Sequence, residues 1–357
     1  MNKNITKAFH PGFYLKEYLE ELQMTQDEFA KRLGISGKQL SLILNETASI
    51  TADIAYKLSR LMNTSVEMWL NLQTKYDAYC IEIKNQKELL EEKKIFKMID
   101  SKFLIDLNII NKNDKIDEAI SKLRKASPIS SLNLYKQPDI YCSYRSVKEK
   151  DEQNLQHIVC KNVWVSLATT IAKNEKVSDF NEEKLLSIIP TLRNMTTKDP
   201  EMFYPKMKKL LNDCGVAFVL LPNLKNSYIN GVVKWIDDKK VMMALNTRGA
   251  YNDIFWFSFF HELKHVLQKA KRKIILSDVI DTVLEYEADL FAANTLIPQN
   301  QWEQLKEFDL HSIVNFSKEI NIHPGIVVGR LQKEKKIKYS HFNHLKEKYN
   351  IIVENVF

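Results

Sequence analysis

Thr25-Gln26-Asp27-Glu28-Phe29-Ala30-Lys31-Arg32-Leu33-Gly34-Ile35-Ser36-Gly37-Lys38-Gln39-Leu40-Ser41-Leu42-Ile43-Leu44-Asn45 contains two helix starts and one helix stop, and its reading decides the fold of the N-terminal part. Thr25 and Glu28 form a capping-box pattern, in which each residue's side chain can satisfy the other's backbone N–H. Gly34 falls where the first helix must end, at a left-handed position that costs glycine nothing. Ser36 can cap the next helix. Ala30 is small where two helices would cross, Phe29, Leu33 and Ile35 supply core, and Leu40 and Ile43 anchor the second helix. This is the layout of a helix-turn-helix, whose second helix enters the major groove. With Leu40, Ile43 and Leu44 turned inward, Gly37, Lys38, Ser41 and Asn45 point outward and Gln39 lies near the border. Lys38 can meet a phosphate or a guanine, Gln39 an adenine, and Gln26 a phosphate. The candidate DNA-contacting residues are Gln26, Ser36, Lys38, Gln39, Ser41 and Asn45. An ordinary helical bundle with a polar surface is the alternative, and the joint spacing of Gln26, Ala30, Gly34, Ile35, Leu40 and Ile43 argues against it.

Working outward, Thr51 starts a further helix with Asp53 in its first turn, and Ser65 starts another with Glu67 well placed for the helix dipole. His10-Pro11-Gly12, Thr25-Gln26, the stretch Gly34 to Asn45, Ile50-Thr51-Ala52-Asp53 and Trp69-Leu70-Asn71-Leu72-Gln73 together resemble the HigA antitoxins, within the Xre-type helix-turn-helix regulators. The resemblance spans nearly all of residues 10–77. It implies binding of a double-stranded operator as a homodimer through this domain, repression of the chain's own operon, and a small ribonuclease toxin as a possible partner. Trp69 and Leu72 read as core or dimer contacts.

The whole chain has 357 residues, 45% of them hydrophobic, with only 8 Gly and 9 Pro, which favours a helix-rich protein of two or three domains. A formal charge of +7 is compatible with a nucleic-acid partner and equally with a lysine-rich surface. Cys80, Cys142, Cys160 and Cys214 are scattered and form no CxxC pair, which argues against a disulfide framework or a cysteine zinc site. The first residues lead into charged helical sequence without an apolar signal region, and no apolar run approaches membrane-spanning length. A cytoplasmic location is expected. Residues 80–125, rich in Lys and Glu, suggest a solvated helix continuing from the first domain, and 126–137 suggest a break.

The second informative stretch is His261-Glu262-Leu263-Lys264-His265, inside an apolar helix expected over 253–270. Before it come strand patterns at 214–221, 231–236 and 241–245, with a turn at Asp237-Asp238. Residues four apart share a helix face, so His261 and His265 can present two imidazole nitrogens to one zinc ion. Glu262 can take the proton of an attacking water and pass it to the leaving amine of a peptide. Such a triplet is costly to bury in an apolar helix without partners. The following helix offers Glu285, Glu287 and Asp289. The two glutamates point about 200° apart and cannot serve one metal together. Asp289 lies one turn after Glu285 and can hold the second nitrogen of a ligating histidine, which selects Glu285 as third ligand and makes Asp289 a supporting residue. His311, His323, His341 and His344 are weaker candidates, suited to surface or capping roles.

Asp253-Ile254-Phe255-Trp256-Phe257, the HELKH motif, Glu285 to Ala292, Leu296-Ile297-Pro298 and His323-Pro324-Gly325 to Leu331 resemble the ImmA/IrrE metallopeptidases over roughly residues 200–335. Asp289 and Lys264 depart from that family's commoner asparagine and small residue. The resemblance implies a gluzincin-like fold and cleavage of a helix-turn-helix repressor. The expected fold is therefore mainly α with a small mixed β-sheet: an all-α helix-turn-helix domain over 1–80, a helical connector over 81–150, and an α+β gluzincin-like domain over 151–357. The expected function is a DNA-binding regulator or antitoxin with a zinc endopeptidase domain, Zn²⁺ being its one cofactor and a repressor, or the chain itself, its substrate. The alternative is a non-enzymatic antitoxin whose second domain senses metal or binds a partner.

Overall fold

The first helix, α1 (Pro11–Glu21), starts at His10-Pro11-Gly12. In the computed structural model, which describes residues 7–137, 152–247, 251–268 and 278–349, His10 Nδ1 accepts from Gly12 N at 2.9 Å. Pro11 occupies the first helical position, where its missing N–H is not needed. Helices α2 (Gln26–Leu33), α3 (Gly37–Leu44), α4 (Ala52–Met62) and α5 (Val66–Phe96) follow. Gly34 takes φ +69° and closes α2: its N–H reaches Lys31 O at 3.2 Å and that of Ile35 reaches Ala30 O at 3.1 Å, a Schellman cap. The capping box is half made. Thr25 Oγ1 accepts from Glu28 N at 3.3 Å, but the Glu28 carboxylate turns to Arg32 at 2.6 Å, one turn on. The charge-assisted pair with Arg32 competes for the carboxylate that the box requires.

Leu15, Phe29, Ala30, Leu40, Ile43, Ile54, Leu58 and Trp69 form the core of this bundle. Trp69 is buried there and its indole N–H donates to Thr64 Oγ1 at 2.9 Å. Gln73 accepts from Ile50 N at 2.8 Å, tying the loop before α4 to α5. A Cβ on Gly12 would collide with the carbonyl oxygen of Ile43, so α1 crosses α3 with no room for a side chain. Gly12→Ala should therefore destabilise the N-terminal unit by about 1–3 kcal/mol, the usual cost of overpacking. Urea unfolding followed by circular dichroism reads this, and an unchanged midpoint would mean that the crossing is looser.

Met1–Glu91 and Glu92–Phe357 are two compact units. The solvated helix expected to continue out of the first domain is α5, which runs to Phe96, and α6 (Ser101–Asp106) and α7 (Ile116–Ala126) follow it. Their charged faces mask an apolar stripe of Phe103, Leu104, Ala119, Ile120 and Leu123, all buried. The buried Glu92 carboxylate accepts from Leu132 N at 2.7 Å, within the 126–137 stretch.

The second unit continues with α8 (Glu152–Asn174), α9 (Glu182–Asn194) and α10 (Pro200–Asn212). Gly215, at φ +84°, turns the chain into β1 (Val216–Leu221), which precedes β2 (Gly231–Trp235) and β3 (Val241–Asn246). The sheet order is β1-β3-β2, with β1 parallel and β2 antiparallel to β3. Helices α8 and α10 both pack on β1, which is why that strand reads as an uninterrupted apolar run. Asp237 makes the expected turn, its Oδ1 accepting from the backbone of Lys239 and Lys240 at 2.8 and 2.9 Å.

The helix bearing HELKH, α11 (Asn252–Leu267), buries Phe255, Trp256, Phe259, Phe260, Leu263 and Val266 in the main core. It packs against α12 (Asp278–Leu296) and, beyond the short α13 (Gln299–Trp302) and α14 (Leu310–Glu319), against α15 (Pro324–Lys333). Expectations at 269–270, and for Cys142 and the first six residues, lie outside the described residues. Cys80, Cys160 and Cys214 are free thiols. Among the described residues no helix is long and apolar enough to cross a membrane.

Candidate functional sites

The outward face of α3 is the first candidate. Leu40, Ile43 and Leu44 are buried, while Gly37, Lys38, Gln39 and Asn45 are exposed. Ser36 Oγ caps α3 by accepting from Gln39 N at 3.1 Å. Ser41 is half-buried, and its Oγ accepts from Asn45 Nδ2 at 3.4 Å. Gln26 is exposed as the first residue of α2. The polar groups thus differ in readiness. Ser36 and Ser41 are engaged locally, whereas Lys38 and Gln39 make no side-chain hydrogen bond among the described residues and project from the first turn of the helix. Sequence reading overlooked Leu42, which stands exposed among them.

The second candidate lies between α11 and α12. His261 and His265, one turn apart, turn their Nε2 atoms toward each other at 3.1 Å. Glu285 reaches both, with Oε2 at 3.1 Å from His261 Nε2 and Oε1 at 3.3 Å from His265 Nε2. These three residues are the His/Cys/Asp/Glu group able to hold a metal ion among the described residues. Zinc bonds of about 2.0 Å in a tetrahedron separate the donor atoms by about 3.3 Å, so the triangle is close to the size that zinc takes. Two imidazoles and one carboxylate also suit zinc chemically, leaving a fourth position for water or substrate.

Supporting groups orient this set. His261 Nδ1 meets Asp289 Oδ1 at 3.0 Å, and His265 Nδ1 meets Gln268 Oε1 at 2.8 Å. Each contact fixes a ring so that Nε2 points at the shared centre. Gln268 is itself held by Leu284 O and Glu287, and Asp289 is in turn paired with Lys333 at 3.4 Å. Glu287 thus faces Gln268 and, at 3.9 Å, Lys264, not the triangle. Lys264 points away toward Glu287 and the ring of Phe291.

Glu262 is buried beside the triangle, and its side chain lies against Gly231 of β2, where a Cβ would overlap the carboxyl at 2.5 Å. Burial lifts the Glu262 carboxyl to about 7, against the pull of His265 and His261. Burial resists protonation of His261 and His265, but their hydrogen bonds to Glu285 and the nearby carboxylates outweigh it and raise both. The same two hydrogen bonds hold Glu285 far below the usual carboxylate range. His323 caps α15 by accepting from Gly325 N at 3.1 Å, His311 pairs with Asn315, and His341 and His344 are exposed. Gln268 was readable from its position three residues after His265 but looks like an ordinary helix end. Gly231 carried no signal, since its partner is distant in sequence.

The helix-turn-helix family pattern matches residues 15–69. The chain is similar to virulence-associated protein I of Dichelobacter nodosus, 38% identical over 81 residues, which cover 22% of this chain and 75% of that protein. It is similar to the uncharacterized HTH-type transcriptional regulator YbaQ of Escherichia coli (strain K12), 33% identical over 92 residues, 25% of this chain and 81% of that protein. Antitoxin HigA-1 of Vibrio cholerae serotype O1 is 29% identical over 97 residues, 27% of this chain and 91% of that protein.

Proposed function

The chain belongs, through its N-terminal unit, to the helix-turn-helix family, and from that premise we propose that it is a DNA-binding regulator carrying a zinc-dependent endopeptidase as its second unit. The observation that carries the enzymatic half is the triangle of His261, His265 and Glu285 donor atoms with buried Glu262 beside it. The two histidines and Glu285 would hold the ion, with Asp289 and Gln268 holding the rings. A bound zinc ion supplies Lewis-acid polarisation of a carbonyl and a lowered pKa for water. Glu262 takes one proton from the attacking water as the oxygen–carbon bond forms, then gives it to the amine nitrogen as the carbon–nitrogen bond breaks. The edge strand β2, paired among the described residues of the sheet with β3 alone, carries Gly231 against Glu262, and an extended substrate peptide would add along its other edge. A gluzincin-like fold of the ImmA/IrrE kind accommodates all of these parts, with a helix-turn-helix repressor or the chain itself as substrate.

The DNA-binding half is tested on α3. Replacing Lys38 and Gln39 together by Ala should weaken operator binding by a few kcal/mol, since a good base contact contributes about 1–3 kcal/mol. Zinc content should be unchanged. Equal affinity of mutant and wild type in a gel-shift titration at one salt concentration would put the recognition surface elsewhere.

A second reading is favoured by the similarity to antitoxin HigA-1. The N-terminal unit would repress its own operon and neutralise a ribonuclease toxin, and the metal centre would act as a sensor without turnover. Cleavage by the zinc-loaded wild type that is lost in Glu262→Gln would support turnover, and absence of cleavage by the wild type would support the sensor.

A further inference from the structure

Leu42 stands at the centre of the outward face of α3. Successive helical residues are about 100° apart, so Leu42 lies about 40° from Lys38 and about 60° from both Asn45 and Gln39. It is 42% exposed, whereas Leu40, Ile43 and Leu44, which face the core, are at most 1% exposed. Its position is fixed: the Leu42 carbonyl accepts from Thr47 N and Thr47 Oγ1, both at 2.9 Å, and from Ala48 N at 3.2 Å. The backbone that carries this apolar side chain is therefore anchored amid the polar groups that face outward.

We propose that Leu42 packs on the C5 methyl group of a thymine in the major groove and thereby specifies an A·T pair in each half-site. The inference rests on the DNA-binding reading above. Base edges in the major groove offer hydrogen-bond donors, acceptors and one apolar group, the thymine methyl. A leucine pressed on any other edge strips water from a donor or acceptor and returns no hydrogen bond. Lys38 and Gln39, on either side, can bond to neighbouring edges or phosphates, so the leucine adds a discrimination that the polar residues do not make.

The experiment uses the full chain and the duplex that it enriches from a random-sequence DNA library. Each thymine of that duplex is replaced in turn by uracil, which removes only the methyl group. At one thymine per half-site the wild type should bind the uracil duplex about fourfold more weakly, the contribution of one buried methyl-sized group. Leu42→Ala should bind the thymine duplex more weakly and no longer distinguish the two. Lys38→Ala should weaken both duplexes while keeping their ratio. Leu42 is exposed, so its variant should melt with the wild type, and Leu42→Met should keep part of the thymine preference. Equal wild-type affinity for every thymine and uracil duplex would overturn the assignment, as would a Leu42→Ala protein that keeps the preference. Failure of the chain to enrich any sequence would remove the DNA-binding reading and this inference with it.

Discussion

Glu285→Ala is expected to strip the second unit of zinc, Glu287→Ala to leave it loaded, and Asp289→Ala to lower affinity by about 10–100-fold, as changes behind a ligand usually do. Glu285 is the group that closes the triangle, with one oxygen on each histidine at 3.1 and 3.3 Å. Without it two imidazoles remain, one turn apart on α11, and two neutral nitrogens hold zinc far more weakly than a three-donor set with a carboxylate. The loss should therefore exceed that of Asp289→Ala. Glu287 is engaged by Gln268 at 3.1 Å and lies toward Lys264. Its removal loosens Gln268 and so the His265 ring, an indirect effect smaller than loss of a ligand. Zinc titration of the three purified variants, with metal content by mass spectrometry, gives the ranking. Loss of metal in Glu287→Ala with retention in Glu285→Ala would reverse the assignment, and full zinc affinity in all three would remove the centre from α11 and α12.

The parts of this molecule that were legible in its sequence are those governed by spacing along one chain segment. Thr25, Ser36 and Thr51 each cap the helix they precede, because an Oγ three residues before a free N–H is a local geometry. His261 and His265 meet for the same reason, and the Asp289 position followed from helical repetition after Glu285. What was not legible depends on pairs far apart in sequence. The close approach of Gly231 to Glu262, and of Gly12 to Ile43, joins segments whose packing no periodicity encodes. The Lys- and Glu-rich run after Cys80 hid the end of α5, since solvated charges on α6 and α7 mask their buried stripes. Glu28 shows competition between local partners: the box pattern was present, and Arg32 one turn later took the carboxylate. Leu42 escapes a division of α3 into inward apolar and outward polar residues, because it is apolar and faces outward.

Glu262→Gln should abolish proteolysis while the protein keeps its zinc and its affinity for DNA. The amide is nearly the same shape as the carboxyl, so it fits the space that Gly231 leaves open and disturbs neither histidine. It does not accept and return a proton as a carboxylate does, and general acid–base groups of this kind contribute about 10²–10⁴-fold to rate. Glu262 is not among the three donors, which predicts unchanged metal content, in contrast to Glu285→Ala. The measurement is mass spectrometry of new protein N-termini after incubating zinc-loaded wild type and variant with the chain itself and with cell extract. Cleavage by wild type alone assigns the proton transfer to Glu262. Equal cleavage by both would exclude Glu262 as the base. Absence of cleavage by either, with zinc bound to both and DNA affinity intact, would favour the sensor reading, in which a buried carboxyl beside two histidines serves the stability of the centre and not turnover.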